Sequence, residues 1–171
     1  MPLTLHVAGE KWRSHLQKVA SQKPGLVPVI KGNGYGFGLE FLAAESTRLG
    51  LDTVAVGLAS EVAKVRSSFA GEIVILSPDQ NFSEMNDPKI IQTISSVGLL
   101  QSIDIATNII IEILTPMNRH GIDMSDLPRA LSIVNDRDLK LRGFALHLPL
   151  AKIDSSWLGA TLTNFPDSSI V

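Results

Sequence analysis

The feature that most constrains the fold of this chain is a regular alternation between short apolar runs and helix-like stripes. The runs are nearly continuous in apolar residues, as in strands that are covered on both faces of a sheet. There are six: Leu26–Ile30, Thr53–Gly57, Glu72–Leu76, Ile90–Ile94, Ile110–Leu114 and Leu141–His147. Because they recur at intervals of roughly 20 to 30 residues with helix candidates between them, right-handed βα crossovers and a parallel sheet are predicted.

Helical periodicity and end signals predict the elements between these runs. Trp12, Leu16 and Val19 are spaced as on one face of a first helix. Further helices are predicted at Leu39–Leu49, ended by Gly50, at Glu61–Phe69, capped by Ser60, around Val97–Ile103, and at Asp126–Val134, with Pro128 in the first turn. The fold class is therefore α/β, with the sheet either open or closed as a (β/α)8 barrel.

Composition excludes several functional classes. The 171 residues are 44% hydrophobic, which suffices for one sizeable core, and a net charge of −2 provides no basic face for nucleic acid. The chain has no cysteine, and its four histidines lack the spacing of a zinc motif, so no metal is expected. The amino terminus does not resemble a signal peptide and no apolar run reaches the roughly 20 residues that span a bilayer, which predicts a cytoplasmic protein away from membranes.

The first apolar run ends in VPVIKGNGYGFG, where Lys31 precedes four alternating glycines. Parallel α/β folds gather their ligand sites at the carboxyl ends of the strands, where Lys31 falls. A lysine held in an apolar wall loses hydration of its ammonium form, so its neutral amine becomes a nucleophile toward an aldehyde. One alternative is a solvated lysine before a loose turn. Another is an RNA-binding RNP1 strand, although that motif has a basic residue at the position of Asn33. The glycine spacing fits neither a Rossmann nor a P-loop motif.

The same stretch resembles the signature of the alanine racemase family, whose usual sequence is A-V-V-K-A-N-A-Y-G-H-G. Members of this family are fold-type III enzymes that bind pyridoxal 5'-phosphate (PLP) in a barrel. The matching residues are Lys31, Asn33, Tyr35, Gly36 and Gly38. The resemblance implies that Lys31 is the Schiff-base lysine and one catalytic base. It also implies that the hydroxyl of Tyr35 reaches the PLP phosphate. The family's usual alanines and histidine are replaced by Gly32, Gly34 and Phe37.

Three later stretches resemble the family in the same order. VAVGLASEVAKVR resembles its second strand and following helix, with Glu61 and Arg66 on matching positions. ILTPMNRHGI resembles the end of the fifth strand and places Arg119 where the family's arginine approaches the PLP phenolic oxygen and the substrate carboxylate, a task that suits a planar guanidinium. LRGFALHLPL resembles the sixth-strand segment and implies that His147 packs against the pyridine ring.

Glu112 lies where many members of that family have a lysine that becomes carbamylated and, as an anion, orients the neighbouring arginine. A glutamate is an anion without modification, so a charge pairing with Arg119 can survive with a shorter reach. The alternative prediction takes Ile111 as inward-facing and Glu112 as an unpaired residue on the outside of the sheet.

The resemblance covers roughly residues 3 to 150, but only the first six of eight barrel strands. We therefore expect residues 1–171 to form a single, incomplete N-terminal PLP-binding barrel domain, a partial (β/α)8 barrel without the family's C-terminal β domain. Segment 152–171 is interpreted as a connection interrupted before its next strand. In the family that missing domain supplies a second catalytic base, a tyrosine, whereas Tyr35 is the single tyrosine here.

The resemblance thus implies a truncated, alanine-racemase-like isomerase, whose parent reaction interconverts L- and D-alanine by α-proton abstraction from an external aldimine. Lys31 and Arg119 are its implied catalytic residues, and the implied PLP contacts are Lys31, Tyr35, Arg119 and His147. Two alternatives stay open: a non-catalytic PLP-binding protein, and another fold-type III enzyme such as an amino-acid decarboxylase or a D-amino-acid lyase. Because six strands leave two open sheet edges, a homo-oligomer or a completing second chain is expected.

Overall fold

The computed structural model describes residues 6–77, 87–103 and 106–149, together with Ser156, Trp157, Gly159 and Thr163. Five strands form one sheet in chain order: β1 (Thr53–Val56), β2 (Glu72–Ile75), β3 (Ile90–Ile94), β4 (Asn108–Ile113) and β5 (Lys140–Leu146). Each strand pairs in parallel with the next one in the chain, which is the strand order of a barrel built from successive βα units. The predicted α/β class with parallel strands is confirmed.

The helices that accompany the sheet between residues 6 and 149 are α1 (Gly9–Gln22), α2 (Lys31–Tyr35), α3 (Leu39–Arg48), α4 (Val62–Arg66), α5 (Val97–Ser102) and α6 (Leu127–Asp136). Short 3-10 helices, Ala59–Glu61 and Met124–Asp126, precede α4 and α6. The prediction that Ser60 caps α4 is wrong, because Ser60 lies inside a 3-10 helix and the N-cap residue of α4 is Glu61. The carboxylate of Glu61 accepts from the nearby backbone N–H groups instead.

The first predicted strand, Leu26–Ile30, is reduced to a single bridge in which Val29 pairs in parallel with Ala55. Ala55 N donates to Pro28 O and Ile30 N donates to Ala55 O, both at 2.8 Å. Pro28 has no N–H to extend this ladder, and the backbone turns sharply after Ile30, so a longer strand cannot form. The segment nevertheless runs beside β1, as a first barrel strand must.

Strand side chains alternate between two apolar layers. The outer layer packs β1 and β2 against α3 and α4, and β4 and β5 against α5 and α6, with members such as Val54, Ile73, Ile109, Ile111 and Phe144. The inner layer is smaller and consists of Ala55, Val74, Ile91 and Ile110. Residues two positions further along these four strands, Gly57, Leu76, Thr93 and Glu112, continue the inner face toward the carboxyl ends.

The register of β4 contradicts the alternative that Glu112 faces outward. Ile111 belongs to the outer cluster beneath α5 and α6, whereas Ile110 belongs to the inner cluster. Because successive side chains point to opposite faces, Glu112 lies on the inner face with Ile110. Its exposed fraction is 8%.

Arg66 joins the end of α4 to the starts of the next two strands. Its Nε forms an ion pair with Asp87 Oδ2 at 2.7 Å, and its guanidinium also donates to the carbonyls of Phe69, Gly71 and Lys89.

None of the described helices combines the length and the apolar character needed to cross a membrane. Apart from the four residues named above, segment 152–171, predicted as an interrupted connection, lies outside the described residues.

Candidate active site

A cleft of about 220 Å³ opens at the carboxyl ends of the strands. Its polar lining comes from the end of the first segment, from β3 and β4, and from the loops that follow β2, β4 and β5; the side chains are Lys31, Ser77, Thr93, Glu112, Arg119, His120 and His147. Three of the four predicted site residues therefore lie in one cleft. The apolar inner layer forms the part of the barrel interior below it.

Lys31 stands at the start of a left-handed turn. Gly32, Asn33, Gly34 and Tyr35 all have φ between 53° and 62°. Glycine adopts this conformation at no steric cost and asparagine tolerates it, whereas most residues lose roughly 1–2 kcal/mol. This requirement explains why glycines alternate through the motif, and it turns the chain away from the sheet directly after the lysine.

Glu61 ties this turn to the loop that follows β1. Its Oε1 accepts a hydrogen bond from Gly32 N at 2.8 Å, and its Oε2 accepts from Gly57 N at 2.7 Å and Leu58 N at 3.1 Å. Burial by itself would raise the pKa of Glu61, but the backbone N–H groups of Leu58, Gly32, Gly57 and Asn33 outweigh that effect and hold the pKa below its ordinary value. Glu61 is therefore ionised at neutral pH.

Aromatic stacking supports the turn from its other end. The ring of Trp12 on α1 stacks on Phe37 with centroids 5.9 Å apart and on Phe41 with centroids 5.8 Å apart. The same helix is held to α3 by Arg13, whose guanidinium forms an ion pair with the buried carboxylate of Glu45 at 2.6 Å. Phe37, which departs from the family's usual histidine, thus packs against the amino-terminal helix.

Arg119 and His120 reach the cleft from the loop after β4. This loop returns to the sheet where Ile122 N donates to Glu112 O at 2.8 Å. The return depends on Gly121, which has a φ of 134° and at which an added Cβ would lie 2.3 Å from a backbone nitrogen. Within the described part of the chain the Arg119 guanidinium forms no ion pair.

His147 follows β5, lines the same cleft as Lys31 and is exposed. The backbone of this residue is fixed, because Thr115 Oγ1 donates to His147 O at 2.6 Å. Thr115 is itself buried, with 6% of its surface exposed. This bond fastens the ends of β4 and β5, so Arg119 and His147 are presented from loops that are joined to each other.

Two buried polar side chains, Thr93 and Glu112, line the cleft. Thr93 is 2% exposed, and its Oγ1 has no hydrogen-bond partner among the described residues. Glu112 shares the cleft with Arg119, yet in the same residues its carboxylate forms no ion pair. Because an unsatisfied buried polar group costs free energy, such groups are typical of a site that meets a ligand.

Tyr35 is placed differently from the other three predicted residues. It is 66% exposed and is not one of the side chains that line the cleft. The structure thus brings Lys31, Arg119 and His147 together and leaves Tyr35 at the surface beside them. Thr93, which the motifs did not reveal, was detectable only as the next inward-facing position after Ile91 on β3.

A family model described as "Alanine racemase, N-terminal domain" matches residues 10–166. This chain belongs to that family. An alanine racemase of Campylobacter curvus is 33% identical over 128 residues, which are 75% of this chain and 37% of the relative. The fold also matches crystal structures of family members: alanine racemase from Corynebacterium glutamicum has a TM-score of 0.76 at 22% identity, with 90% of this chain and 48% of that chain covered.

Alanine racemase from Bartonella henselae, solved with covalently bound pyridoxal phosphate, has a TM-score of 0.74 at 18% identity, with 91% of this chain and 52% of that chain covered. The predicted alanine racemase family and the partial barrel are therefore confirmed. The chain spans 37% of the Campylobacter curvus relative and about half of the two solved chains. At these identities, the structural matches concern the fold alone.

Proposed function

We propose that this chain is the cofactor-binding barrel domain of an alanine racemase, an isomerase that interconverts L- and D-alanine with PLP. The observation that carries the proposal is that Lys31, Arg119 and His147 line one cleft at the carboxyl ends of parallel strands. Family membership supports the same reaction, since the matched relatives are alanine racemases.

The residues of the cleft fit PLP. The amine of Lys31 is a nucleophile for an aldehyde, and within the described residues no carboxylate forms an ion pair with it. The guanidinium of Arg119 suits an anionic oxygen. The buried hydroxyl of Thr93, which has no hydrogen-bond partner among the described residues, offers a further hydrogen bond. We assign the phosphate to Tyr35, whose side chain is exposed at the end of the turn.

Each cleft residue has a distinct task in this proposal. When bound, PLP supplies the electron sink that makes the α-proton of an amino acid acidic. Lys31 Nζ would take or return that proton on one face of the α-carbon. Arg119 would hold the substrate carboxylate, and His147 would pack against the cofactor ring and exclude water from it.

Covalent capture of PLP tests the lysine assignment. The protein is incubated with PLP, reduced with borohydride, digested and examined by mass spectrometry, with Lys31→Ala compared with Lys64→Ala on the exposed side of α4. We expect the label on Lys31, its loss in the first variant and its retention in the second. A label that stays on another lysine in all three proteins would refute the assignment.

Proton exchange at the substrate tests the reaction. The 171-residue chain loaded with PLP should exchange the α-proton of alanine for deuterium in D₂O but racemise alanine weakly, because its single tyrosine is assigned to the phosphate. Loss of a general acid–base group typically lowers the reaction rate by a factor of about 10² to 10⁴. PLP capture without exchange would favour a non-catalytic binding protein, and rapid racemisation would contradict the assignment of one base.

We also propose that residues 1–171 act as one incomplete barrel domain that further strands complete, from a second copy or from another chain. Val29 at one edge is 41% exposed, and β5 has no second strand partner among the described residues. Unpaired edges seek partners. Sedimentation across a concentration series should therefore show association, and a monomer at all concentrations with and without PLP would contradict this.

A further inference from the structure

We propose that Glu61 is a positioning residue for Lys31, whose carboxylate clamps the left-handed turn of the lysine to the end of β1. The proposal rests on the proposed function of Lys31. It concerns how the amine is held in place, whereas the proposed function concerns what the amine does.

Each oxygen of the Glu61 carboxylate serves a different segment. Oε1 accepts from Gly32 N, the residue directly after the lysine, and Oε2 accepts from Gly57 N and Leu58 N after β1. Residues 29 positions apart in the sequence are joined by the first of these bonds. One side chain thus sets the distance between Lys31 and the strand end that forms the neighbouring wall of the cleft.

The close packing at Gly57 makes this clamp tight. A Cβ added at Gly57 would lie 3.2 Å from both Glu61 Oε2 and the Cβ of Lys31. The carboxylate of Glu61 and the stem of the lysine therefore both pack close to the backbone of Gly57. A side chain at this position would fit between the carboxylate and the lysine stem only if one of them shifted.

The turn needs such a clamp because part of it is intrinsically unfavourable. Tyr35 has a φ of 53°, a conformation that costs most L-residues roughly 1–2 kcal/mol, whereas Asn33, with a φ of 54°, tolerates it. Strained backbone persists where surrounding contacts determine it. Hydrogen bonds to an ionised acceptor are the stronger kind, and Glu61 accepts three within this small region.

The charge of Glu61 is balanced by backbone N–H groups, and among the described residues it forms no ion pair with Lys31. An ion pair would hold the lysine as an ammonium and so oppose its use as a nucleophile. The arrangement holds the turn without occupying the amine. This distinguishes a positioning residue from an ordinary partner of a surface lysine.

The test compares Glu61→Gln and Glu61→Asp with a matched control, Glu40→Gln, on the exposed face of α3. In Glu61→Gln one oxygen becomes an NH₂ group that cannot accept, so either Gly32 or the Gly57–Leu58 loop loses its acceptor. In the PLP-free protein we expect amide hydrogen exchange at Gly32 or Gly57 to accelerate at least tenfold. The rate at which Lys31 is acetylated, measured relative to that of Lys64, should change. The rate at which Lys31 captures PLP should fall about tenfold.

Glu61→Asp retains two acceptor oxygens but is one methylene shorter, so its effects should be intermediate, and it decides the matter if Glu61→Gln fails to fold. Unchanged exchange and unchanged Lys31 reactivity in a folded Glu61 variant would overturn the proposal. If wild-type protein captures no PLP while the exchange and acetylation changes appear, the clamp stands and the proposed function fails. Loss of stability with unchanged relative reactivity of Lys31 would indicate a structural role and refute positioning.

Discussion

Arg142 on β5 forms a bidentate ion pair with Glu72 at the start of β2. The Nη1–Oε1 distance is 2.7 Å and the Nη2–Oε2 distance is 3.1 Å. Strands β3 and β4 lie between them in the sheet. Two side chains meet more readily across two intervening strands when the sheet curves, as the wall of a barrel does. The register shifts between Ile109 and Ile110, which leaves Arg142 as an extra bulged residue aimed across the curve.

Removing either partner should loosen this curvature slightly. The side chains of Arg142 and Glu72 are 40% and 30% exposed, so a coupling of about 0.5 to 1 kcal/mol is expected from a double-mutant cycle of Arg142→Met and Glu72→Gln in urea unfolding. The coupling should shrink at high salt. Arg129→Met, at an exposed position on α6, is the control, and a coupling equal to zero at low salt would contradict a structural role.

Glu45 should make the protein sensitive to acid. The hydrogen bond from the Arg13 side chain is the main reason that the pKa of Glu45 is lowered; burial opposes this and Arg48 adds to it. With the folded-state pKa below the ordinary value of about 4.5, the unfolded chain takes up the proton first, so stability falls as the pH drops through this region. Urea unfolding at pH 7 and pH 4 measures the loss.

Glu45→Gln should remove part of that pH dependence. Its free energy of unfolding should be about 1 kcal/mol lower at pH 7 and should change less between pH 7 and pH 4 than that of the wild type. Some dependence remains, because Asp87 and Asp123 also have a lowered pKa. Glu40→Gln is expected to keep the wild-type slope, and an equal slope in Glu45→Gln would show that the pair is not responsible.

Glu112→Gln should raise the stability of the PLP-free protein and weaken its binding of PLP. A carboxylate that is 8% exposed without an ion pair among the described residues is unfavourable in the PLP-free protein, so the free energy of unfolding should rise by up to about 1 kcal/mol. We propose that the anion orients Arg119 toward the ligand, so PLP binding should weaken. Thermal unfolding and PLP titration are the measurements, and tighter PLP binding would contradict this role.

Gly121→Ala should disrupt the loop that presents Arg119. The new Cβ would lie 2.3 Å from Leu114 N and 2.8 Å from Ile113 O, at a φ of 134° that disfavours a side chain. A loss of about 3 kcal/mol in the free energy of unfolding is expected, together with loss of PLP binding. Gly9→Ala on α1, where no heavy atom lies within 4 Å of the new Cβ, should leave both properties close to wild type.

Local patterns were sufficient for much of the fold and the site. Continuous apolar runs predicted β1 to β5, because a strand buried on both faces needs apolar side chains throughout. Since parallel strands end at one edge of the sheet, the motifs around Lys31, Arg119 and His147 were expected to meet there, and they line one cleft. The amino-acid sequence by itself thus determined the fold class, the family resemblance and the position of the cleft.

The tertiary structure alone decided the finer contacts. Strand alternation defines two faces but does not say which one is inner, so the orientation of Glu112 followed only from packing beneath α5 and α6. Glu61 acts on Gly32, and Arg142 on Glu72, across separations in the chain over which local patterns carry no information. Tyr35 is exposed because a left-handed turn carries it past the cleft. Such contacts depend on where a folded backbone places distant segments, which is a property of the assembled sheet.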